Sequence, residues 1–170
     1  TDLHSFHDHR SPAYFFYYKQ SVKMQKKRAK RKRRGFMKIK RQLCPAKRNT
    51  AVALGFFDGV HVGHQAVLQQ TVCCKADALV PAAFTFMKSP QAQLHKKAAP
   101  ALLTMQQKEA LFAESGIELL YTVDFRQVMP LSPYDFVKQV LMDTLHAKKV
   151  LCGFNYHFGS GGKADAHILS

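Results

Sequence analysis

From residue 51 onward the chain alternates short apolar runs with amphipathic stretches that carry helix caps. That alternation limits it to one class of architecture. Ala51 to Phe57 reads AVALGFF, apolar almost throughout, which suits a strand buried on both faces rather than one with a solvent side. His64 to about Lys75 fits a helix with Val67, Leu68, Thr71 and Val72 on one face. Leu79 to Phe86 is a second apolar run, and 87–103, with Pro90 and Pro100 and no period, reads as a loop. Thr104 and Gln107 form a capping box, and Gly116 marks a helix stop. Ile117 to Val123 is a third strand. Ser132, Pro133 and Asp135 supply an N-cap, a first-turn proline and an acid near the positive helix end. Phe136, Val137, Val140, Leu141 and Leu145 then make one apolar stripe, and Lys149 to Gly153 is a fourth strand. The order β-α-β-α-β-α-β predicts an α/β fold: a Rossmann-like parallel sheet with right-handed crossovers and helices on both faces. Ligands of such sheets bind beyond the carboxyl ends of the strands, so the glycine-bearing loops after the first and fourth strands are expected on that edge.

Charge is distributed in a way that separates the front of the chain from the rest. The formal net charge of +15 suggests a nucleic-acid binder, but residues 1–50 hold 16 Lys/Arg against 2 Asp, whereas 51–170 hold 10 Lys/Arg against 9 Asp/Glu. Nine of the twelve residues from Lys23 to Arg34 are basic. Such a block repels itself and buries nothing, so 1–50 is expected to be a basic, disordered segment ahead of a domain at 51–170. One reading makes residues 19–48 an RNA- or lipid-binding arm. The plainer and preferred reading starts the protein at Met37 and makes 1–36 upstream sequence. His4, His7 and His9 show no ligand spacing. Cys44, Cys73, Cys74 and Cys152 form no CxxC pair, which argues against zinc and for reduced, mostly buried thiols in a cytoplasmic protein. No apolar run approaches a membrane span.

The chemistry concentrates at the first strand-to-helix junction: Gly55, Phe56, Phe57, Asp58, Gly59, Val60, His61, Val62, Gly63, His64, Gln65. Asp58-Gly59 turns the chain. Gly63 removes a side chain where backbone and phosphate meet, and the helix start offers free N–H groups and partial positive charge. His61 and His64, three apart, project to one side of the first turn and can donate to phosphate oxygens as charge develops. The competing reading is a plain turn with two solvated histidines. A zinc site is weaker still, since no third ligand is placed. A second cluster, Gly153, Phe154, Asn155, Tyr156, His157, Phe158 and Gly159 with Gly161, Gly162 and Asp165, follows the fourth strand. Asn155 at a strand end suits a ribose or phosphate. Phe154, Tyr156 and Phe158 can cover a ring, although core filling is the better account of two of the three.

The HxGH string resembles the signature of a nucleotidyltransferase superfamily that includes the pantetheine-phosphate, nicotinamide-mononucleotide and glycerol-phosphate enzymes. The longer GFFDGVHVGHQ is similar to the first motif of the bacterial FAD synthetases, the bifunctional riboflavin kinase/FMN adenylyltransferases. The stretch from Gly153 to Gly159 is similar to that family's Gly-x-Asn/Asp-Phe-x-Phe-Gly motif. Leu131, Ser132, Pro133, Phe136 and Val137 are similar to the opening of its third helix. Together the resemblance covers about 51–169.

The resemblance implies the nucleotidyltransferase fold and transfer of AMP from ATP to FMN, giving FAD and pyrophosphate, with Mg²⁺. His61, His64 and Asn155 are the implied catalytic residues. Gly55, Phe56, Phe57, Asp58, Gly59, Gly63 and Gly153 would bind ATP, and Phe84, Phe86, Asn155, Phe158 and Asp165 would bind the flavin. No protein metal site is implied. The chain departs from the family where a Thr-Phe-Asp/Glu-Pro-His-Pro string is usual: it reads Thr85, Phe86, Met87, Lys88, Ser89, Pro90. A downstream Ser/Thr-rich motif with its arginine, and the riboflavin kinase domain, are expected in a longer protein. The alternatives are an HxGH enzyme with another acceptor, a nucleic-acid binder acting through the basic arm, or an inactive fragment of the fold.

Overall fold

The computed structural model describes residues 37–59, 62–90 and 102–166. They belong to a compact unit, Phe36–Ser170. Its centre is a five-stranded sheet, parallel throughout, with strands β1 (Lys38–Lys40), β2 (Thr50–Leu54), β3 (Val80–Phe86), β4 (Leu119–Val123) and β5 (Ala147–Cys152) in the spatial order β1-β4-β3-β2-β5. Helix α1 (Val62–Cys73) links β2 to β3, α2 (Met105–Ser115) precedes β4, and α3 precedes β5. Helix α3 begins as a regular turn at Pro133–Asp135 and widens into a π-helical stretch, Phe136–Thr144.

Alternation along the strands divides the core into two layers. Val52, Leu54, Phe84, Phe86, Tyr121 and Val123 face α3, where Phe136, Val140, Leu141 and Leu145 cover them. The intervening Ala53, Ala83 and Leu120 face α1 and α2 and pack on Leu68 and Phe112. Every residue of β2 is buried, as its unbroken apolar run requires. The alanines on the α1–α2 side leave room for the helices to lie close to the sheet.

The caps explain where the helices begin and end. The Thr104 hydroxyl accepts from the Gln107 N–H at 3.2 Å, and the Gln107 side chain accepts from the Thr104 N–H at 2.9 Å, the reciprocal box foreseen in the sequence. Gly116 closes α2 in the left-handed region at φ 95°. The Ser132 hydroxyl accepts from the Asp135 N–H at 3.0 Å and starts α3. The stripe expected at regular helical spacing is buried in α3, with Val137 partly so, but the hydrogen bonding is i to i−5: the Leu145 N–H reaches the Val140 carbonyl at 2.9 Å.

Four expectations need correction. The segment 1–50 is not one disordered block, because Lys38–Lys40 pairs in parallel with β4 and extends the sheet. Ala46 is core, its N–H donating to the Thr144 carbonyl at 2.7 Å, and the Cys44 carbonyl accepts from the Tyr121 hydroxyl at 2.8 Å. A three-residue edge strand needs little apolar surface, and its two lysines suit an edge, so it is indistinguishable in composition from the basic run before it. Second, the first predicted strand ends at Leu54, not Phe57. Third, the helix expected from His64 starts at Val62. Fourth, the glycine-rich stretch after β5 is not only loop: β6 (His157–Phe158) and β7 (Ala164–Asp165) pair antiparallel. Most of the 19–48 stretch, and the three early histidines, lie outside the described residues. Among the described residues no helix is long and apolar enough to cross a membrane.

The β6–β7 hairpin is tied to the start of α3. The Ser160 N–H donates to the Leu131 carbonyl at 2.7 Å. Gly159, at φ 75° and ψ 168°, lies so close to Pro133 that an added Cβ would sit 2.7 Å from its Cγ and 2.9 Å from its backbone nitrogen. Only glycine adopts that backbone without strain. Two stability effects are expected in urea denaturation. Thr104→Ala should cost about 1 kcal/mol by removing the cap. Gly159→Ala should cost at least about 2 kcal/mol, strain and clash combined, while exposed Ser160→Ala should stay within about 0.5 kcal/mol of the parent.

Candidate functional site

The strand order places a topological switch point between β2 and β5. The chain runs outward from β2 to β3 to β4, then returns to the other side of β2 to lay down β5. Leu54 is in register with Cys152, so the loops that open at Gly55 and Gly153 leave the sheet side by side at its carboxyl edge. An open α/β sheet forms its ligand crevice at such a point. The two motifs singled out in the sequence therefore meet there, although nearly a hundred residues separate them.

The β2–α1 loop is held by groups behind it. The Gly55 N–H continues the ladder for one more bond, to the Phe84 carbonyl at 3.3 Å. The Phe56 carbonyl then accepts twice, from the Thr85 hydroxyl at 2.9 Å and from the Lys108 ammonium at 2.8 Å. Phe57 takes a left-handed conformation, φ 54°, unusual for a residue with a side chain. Its ring is 1% exposed, packed edge-on to Phe112 and tilted under the His64 ring at 5.1 Å. Asp58 accepts from the Leu102 N–H at 2.9 Å, which pins the turn to the segment preceding α2. Gly59 has φ 72°, and a Cβ there would meet the Leu102 side chain at 2.9 Å. Gly63 and His64 occupy the first turn of α1. His61 and Val60 lie outside the described residues.

Lys108 was not foreseen as part of this site. It is 2% exposed, and burial lowers its pKa, partly offset by the charge of Asp58. The spacing held a signal for it: Lys108 is four residues before Phe112, on the face of α2 that packs on the sheet.

On the β5 side, Gly153 is followed by exposed Phe154 and Asn155, and a Cβ on Gly153 would lie 3.1 Å from the Asn155 Oδ1. The Asn155 carbonyl and the His157 Nδ1 are 3.0 Å apart. Asp165 is half-buried and pairs with His157 across the hairpin. Burial pushes the Cys152 thiol and, far more, the Tyr156 phenol above their ordinary pKa values. At the end of β4 the Arg126 guanidinium holds the Asp124 carboxyl down at about 2, with a smaller contribution from Lys88. Any stability from that pair is complete above the ordinary carboxylate range and is lost as pH falls toward 2.

The three aromatics expected from the sequence at the flavin lie in the core. Phe84, Phe86 and Phe158 are 1%, 7% and 5% exposed, and their rings pack edge-on or tilted against one another's neighbours Phe125 and Phe136. Phe84 and Phe86 face α3 because alternate residues of β3 form that layer of the core, and Phe158, on β6, joins the same layer against Phe136. Phe158 and Tyr156 are the two aromatics of their motif that fill the core, while Phe154 is 94% exposed. Among the described residues no group of three His, Cys, Asp or Glu side chains is arranged to cage a metal.

Comparison with known proteins identifies the family. The FAD synthetase family pattern matches residues 43–170. The bifunctional riboflavin kinase/FMN adenylyltransferase of Listeria monocytogenes serovar 1/2a is 38% identical over 126 residues, covering 72% of this chain and 40% of that protein. The enzyme of the same description from Bacillus subtilis strain 168 is 34% identical over 124 residues, covering 71% of this chain and 39% of its own length. The chain thus spans about 40% of the length of these relatives. A solved structure described as a macrolide-efflux protein from Streptococcus pneumoniae superposes with a TM-score of 0.69 at 27% identity, covering 79% of this chain and 54% of that one. With a matching pattern over three quarters of its residues and the signature loops paired at the switch point, the chain belongs to the FAD synthetase family.

Proposed function

We propose that this chain carries an FMN adenylyltransferase site, in which an oxygen of the FMN phosphate attacks the α-phosphorus of ATP and pyrophosphate leaves. The observation that carries this reading is the pairing of Leu54 with Cys152, which brings the GFFDG loop, the start of α1 and the Gly153–Asn155 loop to one crevice. The family and its named adenylyltransferase relatives supply the substrates.

In this reading the triphosphate lies over the β2–α1 loop. The free N–H groups at the start of α1 and the helix's partial positive charge favour it. Gly63 keeps a Cβ out of the approach, while Gly59 allows the left-handed turn that packs against Leu102. His64, its ring set by Phe57, and His61 donate to phosphate oxygens as negative charge shifts to the pyrophosphate. Phe57 supports the site from beneath, so its own contribution to ATP is through its backbone. Gly153 admits the nucleotide to the β5 side, where Asn155 and Asp165 offer oxygen and amide groups to ribose, phosphate or metal. Mg²⁺ would accompany the phosphates and neutralise their charge, with Asp165 as the carboxylate of this chain that would help hold it. For the flavin ring, exposed Phe154, beside Asn155, offers an aromatic surface. A riboflavin kinase domain would be its covalent partner in a protein of the relatives' length.

The chain mixed with ATP, Mg²⁺ and FMN should yield FAD, separable from FMN by chromatography. His64→Ala should lower kcat by about a hundredfold or more with the melting temperature within a few degrees of the parent, in keeping with loss of one transition-state donor. An unchanged rate in that variant, or ATP binding that ignores the His61→Ala/His64→Ala double change, would remove the reading.

A further inference from the structure

The group that the chemistry above leaves unused is the buried Lys108. A lysine is rarely so fully enclosed, because removing an ammonium from water is costly unless something inside the protein uses it. Here the ammonium donates to the Phe56 carbonyl at 2.8 Å and lies 3.8 Å from the centre of the Phe56 ring. The Thr85 hydroxyl shares that carbonyl from β3. In a trans peptide the C=O and the following N–H point in opposite directions. A Phe56 carbonyl drawn inward by two buried donors therefore turns the Phe57 N–H the other way, and Phe57 is the residue in the left-handed conformation. Consecutive amides around a left-handed residue form the kind of concave donor set that binds anions.

We propose that Lys108 is a positioning residue of the nucleotide site: it holds the Phe56–Phe57 peptide so that the Phe57 N–H is presented to the triphosphate. This rests on the adenylyltransferase reading for its ligand, but the loop position it predicts is measurable without one. The ammonium also places a positive charge beneath an anion site, with the Asp58 carboxylate as an opposing charge on the loop side. Lys108 acts through Phe56 and the loop; it need not touch ATP.

The test compares the parent chain with Lys108→Met, which keeps most of the volume and removes the charge and the donor, and Lys108→Arg, which restores both. Thr85→Val removes the other donor with little change of shape. Amide hydrogen exchange at 56–59 should accelerate about tenfold in Lys108→Met and more in the double variant, while α2 and β3 keep their protection. ATP binding by calorimetry should weaken about tenfold, with recovery of at least half of the loss, on a logarithmic scale, in Lys108→Arg. Because burial lowers the lysine's pKa, the parent's ATP affinity should fall at alkaline pH before the ordinary lysine range, and Lys108→Met should lack that limb. Loop exchange equal to the parent's in a folded Lys108→Met chain overturns the proposal, whatever ATP does. Altered loop exchange in a chain whose parent form binds no ATP upholds the positioning role and rejects the adenylyltransferase reading instead.

Discussion

Everything in the candidate site depends on β2 lying at the inside of a parallel sheet, with β3 on one flank and β5 on the other. Parallel strands cannot be joined by a hairpin, so each neighbour of β2 must arrive by a crossover, and the loops that leave the sheet together do so at the carboxyl edge. Thr50–Leu54 is buried on both faces by α3 on one side and α1 with α2 on the other, which fixes its register against both flanks. A slip of one residue would turn Val52 and Leu54 away from the α3 layer and detach Gly55 from Gly153. The hydrophobic pattern of a five-residue strand therefore sets the spacing of two polar loops that it does not itself contain.

The loop after β2 shows how a rigid core is used to hold an unfavourable backbone. A left-handed phenylalanine costs roughly 1–2 kcal/mol relative to ordinary conformations. Phe57 recovers this by burying its ring between His64 and Phe112, a gain of about 2 kcal/mol by area alone. The preceding carbonyl is fixed by Thr85 and Lys108, and the following turn by the Asp58 contact with Leu102. Three different elements (β3, α2 and the segment before α2) thus converge on five residues. A loop held in this way loses little further freedom when a ligand arrives, which is the physical content of preorganisation.

Much of this was legible from residue patterns. The strand-helix alternation, the capping box at Thr104, the glycine stop at 116 and the Ser132-Pro133 start each rest on local chemistry; the order of elements and these caps stand, while the first strand ends earlier and its helix begins earlier than read. What escaped is non-local. Lys38–Lys40 becomes a strand because β4 has a free edge for it, and nothing in Lys-Ile-Lys announces that. The same limit applies to the site. The glycines and Asp58 declare a turn, whereas the burial of Phe84, Phe86 and Phe158 depends on α3 arriving over β3. An aromatic triplet near a motif reads as a ring-binding surface until the packing layer that claims it is known. Lys108 shows the converse: a charged residue at core spacing looks like solvent surface until its partner, a carbonyl 52 residues away, is seen.

The two halves of the crevice consequently differ in how they are built. The β2–α1 side is backed by buried donors and interlocked rings, whereas the β5 side carries Phe154 and Asn155 exposed on a short turn. Lys88, where the family's usual string has an acid and histidine nearby, adds positive charge at the end of β3, close to the Asp124–Arg126 pair. Under the proposed adenylyltransferase function, such a site would hold a triphosphate in one geometry while the acceptor's ring settles by stacking, since stacking on an exposed aromatic tolerates lateral displacement that an in-line attack on phosphorus does not. On that proposal the rigidity falls on the side where the reacting phosphorus would have to be placed to within a fraction of an ångström.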